Sequence, residues 1–279
     1  AALTEDIYRL ASLELSSPSD MAAGLGTLDW AMSREIRHER AGAMLRAAAE
    51  LAPSDTAVLA AYERVARAAD SPAMLLDALG RLAAGPSATM EILREAVELA
   101  TAAEDGARVE ALLGRAVELA EAAAGGMSEA VWALLGLADL REAAGDLAAA
   151  VQHLSRAALA EGRDEGLKLG ARAAQLATKD LADLDLAASV YERLLERDRH
   201  DRDVWVPLLD LRRRGGDRDL LEQKLKEAIE CAFDVTWRIV LRRERAALLL
   251  ETRWEEAAGE LSELLNEDED DTSAALQLT

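Results

Sequence analysis

The chain has 279 residues, of which 51% are hydrophobic but only 3% aromatic, and its formal net charge is −21. The abundance of Ala, Leu, Glu and Arg favours helices, and the scarcity of aromatic residues argues against extensive β-sheet. The strong negative charge argues against a sequence-independent grip on nucleic acid, because that requires a positive surface. The sequence therefore predicts an all-α protein that does not bind nucleic acid.

The sequence contains no run of about 18 apolar residues, so we expect a soluble chain without membrane insertion. The compartment stays open, with the cytoplasm preferred. The single cysteine, Cys231, excludes an internal disulfide and a cysteine-based zinc site, and its apolar neighbours predict a small buried hydrophobe. Arginine far outnumbers lysine, which suggests a GC-rich coding genome and a bacterial source. The chain lacks an initial methionine and ends a few residues into a helix predicted near Leu276, as expected for a segment of a longer protein.

In chain order, the first predicted helix is Leu3–Leu15, which Ser16–Asp20 ends because Pro18 cannot continue a helix. Two helices follow between Met21 and Leu51. Turns rich in Gly, Pro and Asp then separate helices predicted at 56–69, 72–84, 88–103, 107–123, 129–144, 147–160, 164–178, 184–197, 235–251 and 254–265, with two more between 203 and 234. Gly125-Gly126 is the largest break and is interpreted as a bend between two halves.

The stretch from Asp203 to Asp234 shows how these helices pair. Trp205, Leu208 and Leu209 share one face at the i, i+3, i+4 spacing, and the helix after the turn at Gly215-Gly216-Asp217 repeats that pattern. Neither helix alone can bury its apolar stripe, and the packed pair still leaves one side apolar. The hairpin therefore needs a neighbour on each side, which the rest of the chain supplies.

Equivalent positions in the second helices recur at a nearly constant interval. These positions are Ala48, Leu82, Ala116, Ala157, Leu194, Ala228 and Leu264. The first two intervals are 34 residues each, and the following four are 41, 37, 34 and 36 residues. A period near 34 in helix–turn–helix units is typical of tetratricopeptide repeats.

Individual motifs extend this resemblance to the tetratricopeptide-repeat (TPR) family. They are Gly145-Asp146, Leu147, Ala150, Leu154 and Ala157; Trp205, Leu208, Gly216-Asp217, Leu221, Leu225 and Ala228; and Leu241, Leu248, Trp254, Ala257, Leu261 and Leu264. The resemblance covers roughly residues 41–266 and implies a right-handed superhelical α-solenoid of about seven to eight antiparallel helical hairpins. We expect divergent N-terminal helices at 1–40, TPR-like repeats at 41–124, and TPR-like repeats at 127–279 that end in a truncated helix.

Two structural alternatives stay open at this stage. A less regular solenoid of HEAT-like hairpins would share the amphipathic pattern. Within the 129–144 helix, either Trp132-x-x-Leu135-Gly136 or Leu134-x-x-Leu137-Ala138 is the motif that faces the core.

No motif of catalysis, cofactor binding or metal binding is present. His38, His153 and His200 lie in distant repeats without ligand spacing, and no glycine-rich phosphate loop or complete calcium loop occurs. The tryptophans at 132, 205, 237 and 254 lie at helix-packing positions, and we interpret them as core residues rather than as ligand-stacking residues. We therefore expect a protein that is not an enzyme and that has no cofactor or metal.

The TPR resemblance implies that the first helix of each hairpin lines a concave groove for a peptide or helix. Carried onto this chain, the C-terminal groove positions form a basic strip suited to carboxylates, with Asp210 among them; its basic residues are Arg172, Lys179, Arg213, Arg214 and Arg242. The alternative, which we prefer, is that these cations form exposed ion pairs with Asp180, Asp203, Asp210 and Glu244 and serve only to keep this face of the molecule hydrated. The single asparagine, Asn266, argues against the carboxylate clamp of chaperone-binding TPR proteins.

The sequence therefore predicts a scaffold that binds another protein or peptide in this groove. One alternative is a recruiting or regulatory domain of a larger protein whose enzymatic part lies outside this segment. A stand-alone enzyme on a helical solenoid is a further, less favoured alternative. Self-association through the exposed terminal repeat is also expected to be possible.

Overall fold

The computed structural model of the chain describes residues 2–123, 126–268 and 272–277, and these residues form sixteen α-helices, one 3₁₀ helix and no strand. By packing, the chain divides into two compact units, Ala1–Leu137 and Ala138–Thr279, with the division inside the eighth helix. Gly125, part of the predicted bend, lies outside the described residues.

The N-terminal unit contains seven complete helices and the start of the eighth. They are α1 (Ala2–Leu15), α2 (Met21–Arg34), α3 (His38–Leu51), α4 (Thr56–Ala68), α5 (Pro72–Ala84), α6 (Met90–Ala102), α7 (Gly106–Ala122), a 3₁₀ helix (Met127–Ala130) and α8 (Val131–Ala143). The join that the sequence predicts between Met21 and Leu51 is confirmed, since α2 ends at Arg34 and α3 begins at His38.

The C-terminal unit continues in the same manner. Its helices are α9 (Leu147–Ala160), α10 (Arg163–Lys179), α11 (Leu184–Arg197), α12 (Arg202–Gly215), α13 (Arg218–Cys231), α14 (Val235–Leu249), α15 (Trp254–Glu267) and α16 (Thr272–Gln277). The helix predicted near the C-terminal end is therefore present over its described residues.

Side-chain caps explain where most of these helices begin. Asp55 accepts hydrogen bonds from the backbone N–H groups of Ala57 and Val58 at the start of α4. Asp105, Asp146, Asp183 and Asp217 cap α7, α9, α11 and α13 in the same way. An Asp carboxylate suits this position because it satisfies a free N–H group and interacts favourably with the positive end of the helix dipole.

Helices pack mainly on their neighbours in sequence within each unit, α3 on α4, α4 on α5 and α5 on α6, and likewise from α9 through α15. All seven positions that define the repeat period are buried, from Ala48 to Leu264. This packing order, in which each hairpin covers the apolar face of the next, is that of an α-solenoid.

Burial resolves the two possible registers of α8. Leu134 and Ala138 are fully buried and Leu137 nearly so, whereas Leu135 and Trp132 are only partly buried. The core-facing motif is therefore Leu134-x-x-Leu137-Ala138.

Two α-helices begin two residues later than the sequence predicts. Helix α6 begins at Met90 rather than at 88, because Thr89 supplies the cap by accepting from the Ile92 N–H group. The helix predicted from 129 begins as a 3₁₀ turn and becomes α-helical only at Val131.

The tryptophan prediction is correct in part. Trp205 and Trp237 are buried, and Trp205 Nε1 donates to the carbonyl of Arg199 at 2.7 Å. Trp254 is 69% exposed, so its interpretation as a core residue was wrong. It is the first residue of α15, at the exposed end of the helix. The prediction for Cys231 is confirmed, since this residue is buried and free.

Among the described residues, none of the helices combines the length and apolar character needed to cross a membrane.

Candidate functional site

All six predicted groove residues lie on first helices of hairpins in the C-terminal unit. Arg172 and Lys179 are on α10, Asp210, Arg213 and Arg214 are on α12, and Arg242 is on α14. All are exposed except Arg242, which is partly buried. Their partners divide them into two groups.

Three of the five cations are held by carboxylates of the chain itself. Arg172 Nη2 lies 2.8 Å from Asp139 Oδ1 and 2.6 Å from Glu142 Oε1. Arg213 and Glu244 form a bidentate ion pair, in which Nε donates to Oε1 at 2.6 Å and Nη2 donates to Oε2 at 2.7 Å. These hydrogen bonds raise the pKa of the Arg213 guanidinium. The Arg213–Glu244 pairing is the one expected on the alternative interpretation of the strip.

Arg242 is paired in a partly buried setting. Its Nη1 donates to Glu260 Oε2 at 2.7 Å, and its Nε lies 3.5 Å from Glu267 Oε1. Asp203, also expected to pair with the strip, instead lies 2.7 Å from Arg163, outside it. Arg172, Arg213 and Arg242 therefore have little free capacity for a ligand.

The other three predicted residues line one cavity of about 230 Å³ between α10 and α12. Lys179, Asp210 and Arg214 stand at its polar rim together with Gln175 and Thr178. The apolar part of its wall comes from α10, α11 and α12 and consists of Ala171, Ala174, Tyr191, Pro207 and Leu211. Three of the six predicted residues therefore line the same cavity.

The cavity carries hydrogen-bond donors without partners. Within the described ranges, no carboxylate oxygen lies within 4 Å of the Lys179 ammonium or the Arg214 guanidinium, and the hydroxyl of Tyr191 makes no hydrogen bond. Burial raises the pKa of Tyr191 above its ordinary value, which is itself well above neutrality, so the phenol is a donor at neutral pH. Three donors around one apolar wall favour a ligand that accepts hydrogen bonds.

Pro207 shapes this side of α12 from inside the helix. A proline has no N–H group to donate and its ring crowds the carbonyl four residues earlier, here that of Asp203. Sequence reasoning singled out neither Tyr191 nor Pro207 for this site. A proline within an amphipathic helical pattern was the one signal that pointed to this place.

Among the described residues, the arrangement of potential metal ligands can be checked directly. In the part of the chain that the structure describes, no group of three His, Cys, Asp or Glu residues is placed to hold a metal ion. Burial, followed by the nearby Arg156 and Arg141, lowers the pKa of His153, which favours a neutral imidazole.

Comparison with known proteins adds a distant structural likeness. No protein-family model and no curated protein matches the sequence. The chain is similar to the crystal structure of a tetratricopeptide repeat protein from Parabacteroides merdae, with a TM-score of 0.32 and 13% sequence identity. That alignment covers 100% of this chain and 98% of the other. Function is therefore inferred from the chain's own residues.

Proposed function

We propose that the protein is a non-catalytic TPR-like scaffold that binds an acidic peptide segment at the cavity between α10 and α12. The observation that supports this is the set of three unpaired donors, on Lys179, Arg214 and Tyr191, around a wall of apolar side chains. Each other cation of the predicted strip already has a carboxylate partner.

The chemistry of the cavity suits a carboxylate side chain better than a neutral one. A guanidinium and an ammonium form charge-assisted hydrogen bonds with carboxylate oxygens, and such bonds are roughly twice as strong as neutral ones. Tyr191, which lines the cavity, adds a neutral hydroxyl donor. Asp210 supplies an acceptor at the rim, which is free to take a backbone N–H group of the bound peptide.

A titration with paired peptides tests this proposal. The probes are a fluorescein-labelled Glu-rich peptide and its Gln-substituted counterpart, each added to the full chain at low ionic strength and followed by fluorescence anisotropy. We expect Lys179→Glu and Arg214→Glu each to weaken binding of the Glu-rich peptide by about tenfold, equivalent to about 1.4 kcal/mol. Added salt should weaken it further, because exposed charges are screened.

A matched variant controls for the change in net charge. Lys226 is exposed on α13, away from the cavity, and no carboxylate of the described chain lies within 4 Å of it. Lys226→Glu should leave the affinity unchanged. Equal affinity of all variants for the Glu-rich peptide, or equal affinity of the native chain for both peptides, would contradict the proposal.

A further inference from the structure

A second groove lies in the N-terminal unit, between the second helices of two successive hairpins. It encloses about 410 Å³ between α5 and α7. Its floor is built from small and aliphatic residues, among them Gly80 and Leu112, and its lining also includes one carboxylate and three guanidinium groups, those of Asp77, Arg81, Arg108 and Arg115. This groove is separate from the cavity between α10 and α12.

The lining residues form a matching stripe on each helix. On α7, Arg108, Leu112 and Arg115 follow one another at i, i+4 and i+7, and on α5 the lining residues from Asp77 to Ala84 have the same spacing. Arg115 Nε donates to the carbonyl of Ala83 at 3.2 Å, and this hydrogen bond connects α7 to α5 beside the two stripes. The groove thus runs along the helix axes for about two turns, or about 10 Å.

The floor of this groove is open at Gly80. A Cβ atom built there meets no atom within 4 Å, so the glycine leaves space instead of allowing a close approach of neighbouring helices. A longer side chain at this position would extend into the groove.

Two of the three arginines that line this groove have carboxylate partners. Arg81 is neutralised by Asp77 and Glu50, each at 3.2 Å, and Asp77 also accepts from the Tyr62 hydroxyl at 3.0 Å. Arg115 is paired with the exposed Glu118 at 3.1 Å.

Arg108 differs from both of these arginines. Across the described parts of the chain, no carboxylate comes within 4 Å of its guanidinium. The groove therefore presents one unpaired and one weakly paired arginine, two turns apart, in a chain of net charge −21.

We propose that this groove binds an amphipathic helix of another protein, whose apolar face lies on the floor and whose acidic side chains, two turns apart, meet Arg108 and Arg115. A trough between two helices has the shape that receives a third helix through ridges in grooves, with anchors at i, i+3, i+4 and i+7. The two arginines supply complementary charge at the matching spacing. A second copy of this strongly acidic chain is the competing occupant.

Binding of a designed helix tests the proposal. The probe is a synthetic fluorescent helix of about four turns with a Leu/Ala face and two glutamates seven positions apart; a scrambled peptide of the same composition is its control. We expect the full chain to bind the probe more tightly than the scrambled peptide. Arg108→Glu should weaken probe binding by about tenfold, and Gly80→Leu should weaken it at least as much by filling the floor.

Two variants serve as controls. Gly114→Leu makes the same substitution on α7 at a position that is open but does not line the groove, and it should leave probe binding unchanged. Lys179→Glu should also leave it unchanged, so failure at this groove is distinguishable from failure at the α10–α12 cavity.

Three results would overturn the proposal. The first is absence of probe binding to the native chain, and the second is equal binding of the probe and the scrambled peptide. The third is a dimer in sedimentation equilibrium that Gly80→Leu or Arg108→Glu converts to monomer, because the occupant would then be a second copy of this chain.

Discussion

Two nearly buried tyrosines have different hydrogen-bonding states. Tyr62 on α4 donates to Asp77 Oδ2 at 3.0 Å, whereas Tyr191 on α11 lines the α10–α12 cavity and its hydroxyl has no hydrogen-bond partner in the described part of the chain. A hydroxyl that donates to a carboxylate of the chain contributes to the stability of the fold, whereas one that reaches solvent exchanges a bond to water for a bond to a ligand and contributes little to folding. We therefore expect a structural role for Tyr62 and, on the proposed function, a binding role for Tyr191.

Removal of each hydroxyl should therefore have a different effect. We expect Tyr62→Phe to lower the free energy of unfolding by about 1 kcal/mol, because Asp77 loses a donor, and Tyr191→Phe to change it by less than about 0.5 kcal/mol. Urea unfolding followed by circular dichroism measures both. Tyr191→Phe should instead weaken binding of the Glu-rich peptide; a large loss of stability in this variant would contradict the assignment.

Tyr62 also predicts a dependence of stability on pH. Burial, followed by the hydrogen bond to Asp77, raises its pKa from 10.0 to about 12. Because the folded state holds the proton more tightly than the unfolded state, the contribution is complete below pH 10 and is lost as the pH rises toward 12.

The test compares the native chain with Tyr62→Phe at about pH 8 and about pH 11 by urea unfolding. The native chain should lose more free energy of unfolding between the two conditions than the variant does. Equal losses would show that Tyr62 does not contribute to this dependence.

At the scale of helices, a buried ion cluster joins α13, α14 and α15. Arg245 on α14 is only 7% exposed and contacts Glu222 of α13 and Glu260 of α15. Burial opposes ionisation of Glu222, but hydrogen bonds from Arg245 and Arg253 outweigh it and hold its pKa below the usual value. The cluster therefore links two consecutive hairpins through one guanidinium.

Removal of the shared cation should be costly, because it leaves two carboxylates poorly solvated. We expect Arg245→Ala to lower the free energy of unfolding by about 3 kcal/mol. Arg218→Ala is the control, since its pair with Glu251, at 2.6 Å, is more than half exposed and should contribute less than about 1 kcal/mol. Similar losses in the two variants would contradict the distinction between buried and exposed pairs.

Close packing between helices also depends on a glycine in α10. A Cβ atom at Gly166 would lie 2.5 Å from the carbonyl oxygen of Ala158 in α9, so Gly166→Ala must move the backbone and should cost about 1–3 kcal/mol. Gly259 on α15 is exposed with open space, and Gly259→Ala should stabilise the helix by about 0.5–1 kcal/mol. Thermal unfolding of both variants checks the opposite signs.

The helices were largely predictable because their signals are local. Apolar spacing and capping Asp residues place α11 at Leu184–Arg197, as the sequence predicted. The candidate site was predictable only in outline. Which cations of the strip are neutralised depends on carboxylates about one repeat away, such as Glu244 for Arg213. Which side of a helix opens into a cavity depends on packing among three helices, which periodicity in one helix does not encode.

At the scale of the whole molecule, each unit is built from contacts between helices that are close in sequence. In such an array stability is a sum of repeat and nearest-neighbour terms, so a local perturbation should stay local. A single globular core would behave differently, because damage at one place would lower protection everywhere. The partner-binding surfaces proposed for the two units depend on this independence.

Native-state hydrogen exchange of Arg245→Ala tests the stacked-hairpin account most directly. The account predicts faster amide exchange in α13, α14 and α15, a smaller effect in their sequence neighbours, and unchanged protection in α1 through α7. A comparable loss of protection in α1 through α7 would show one cooperative core and contradict the account.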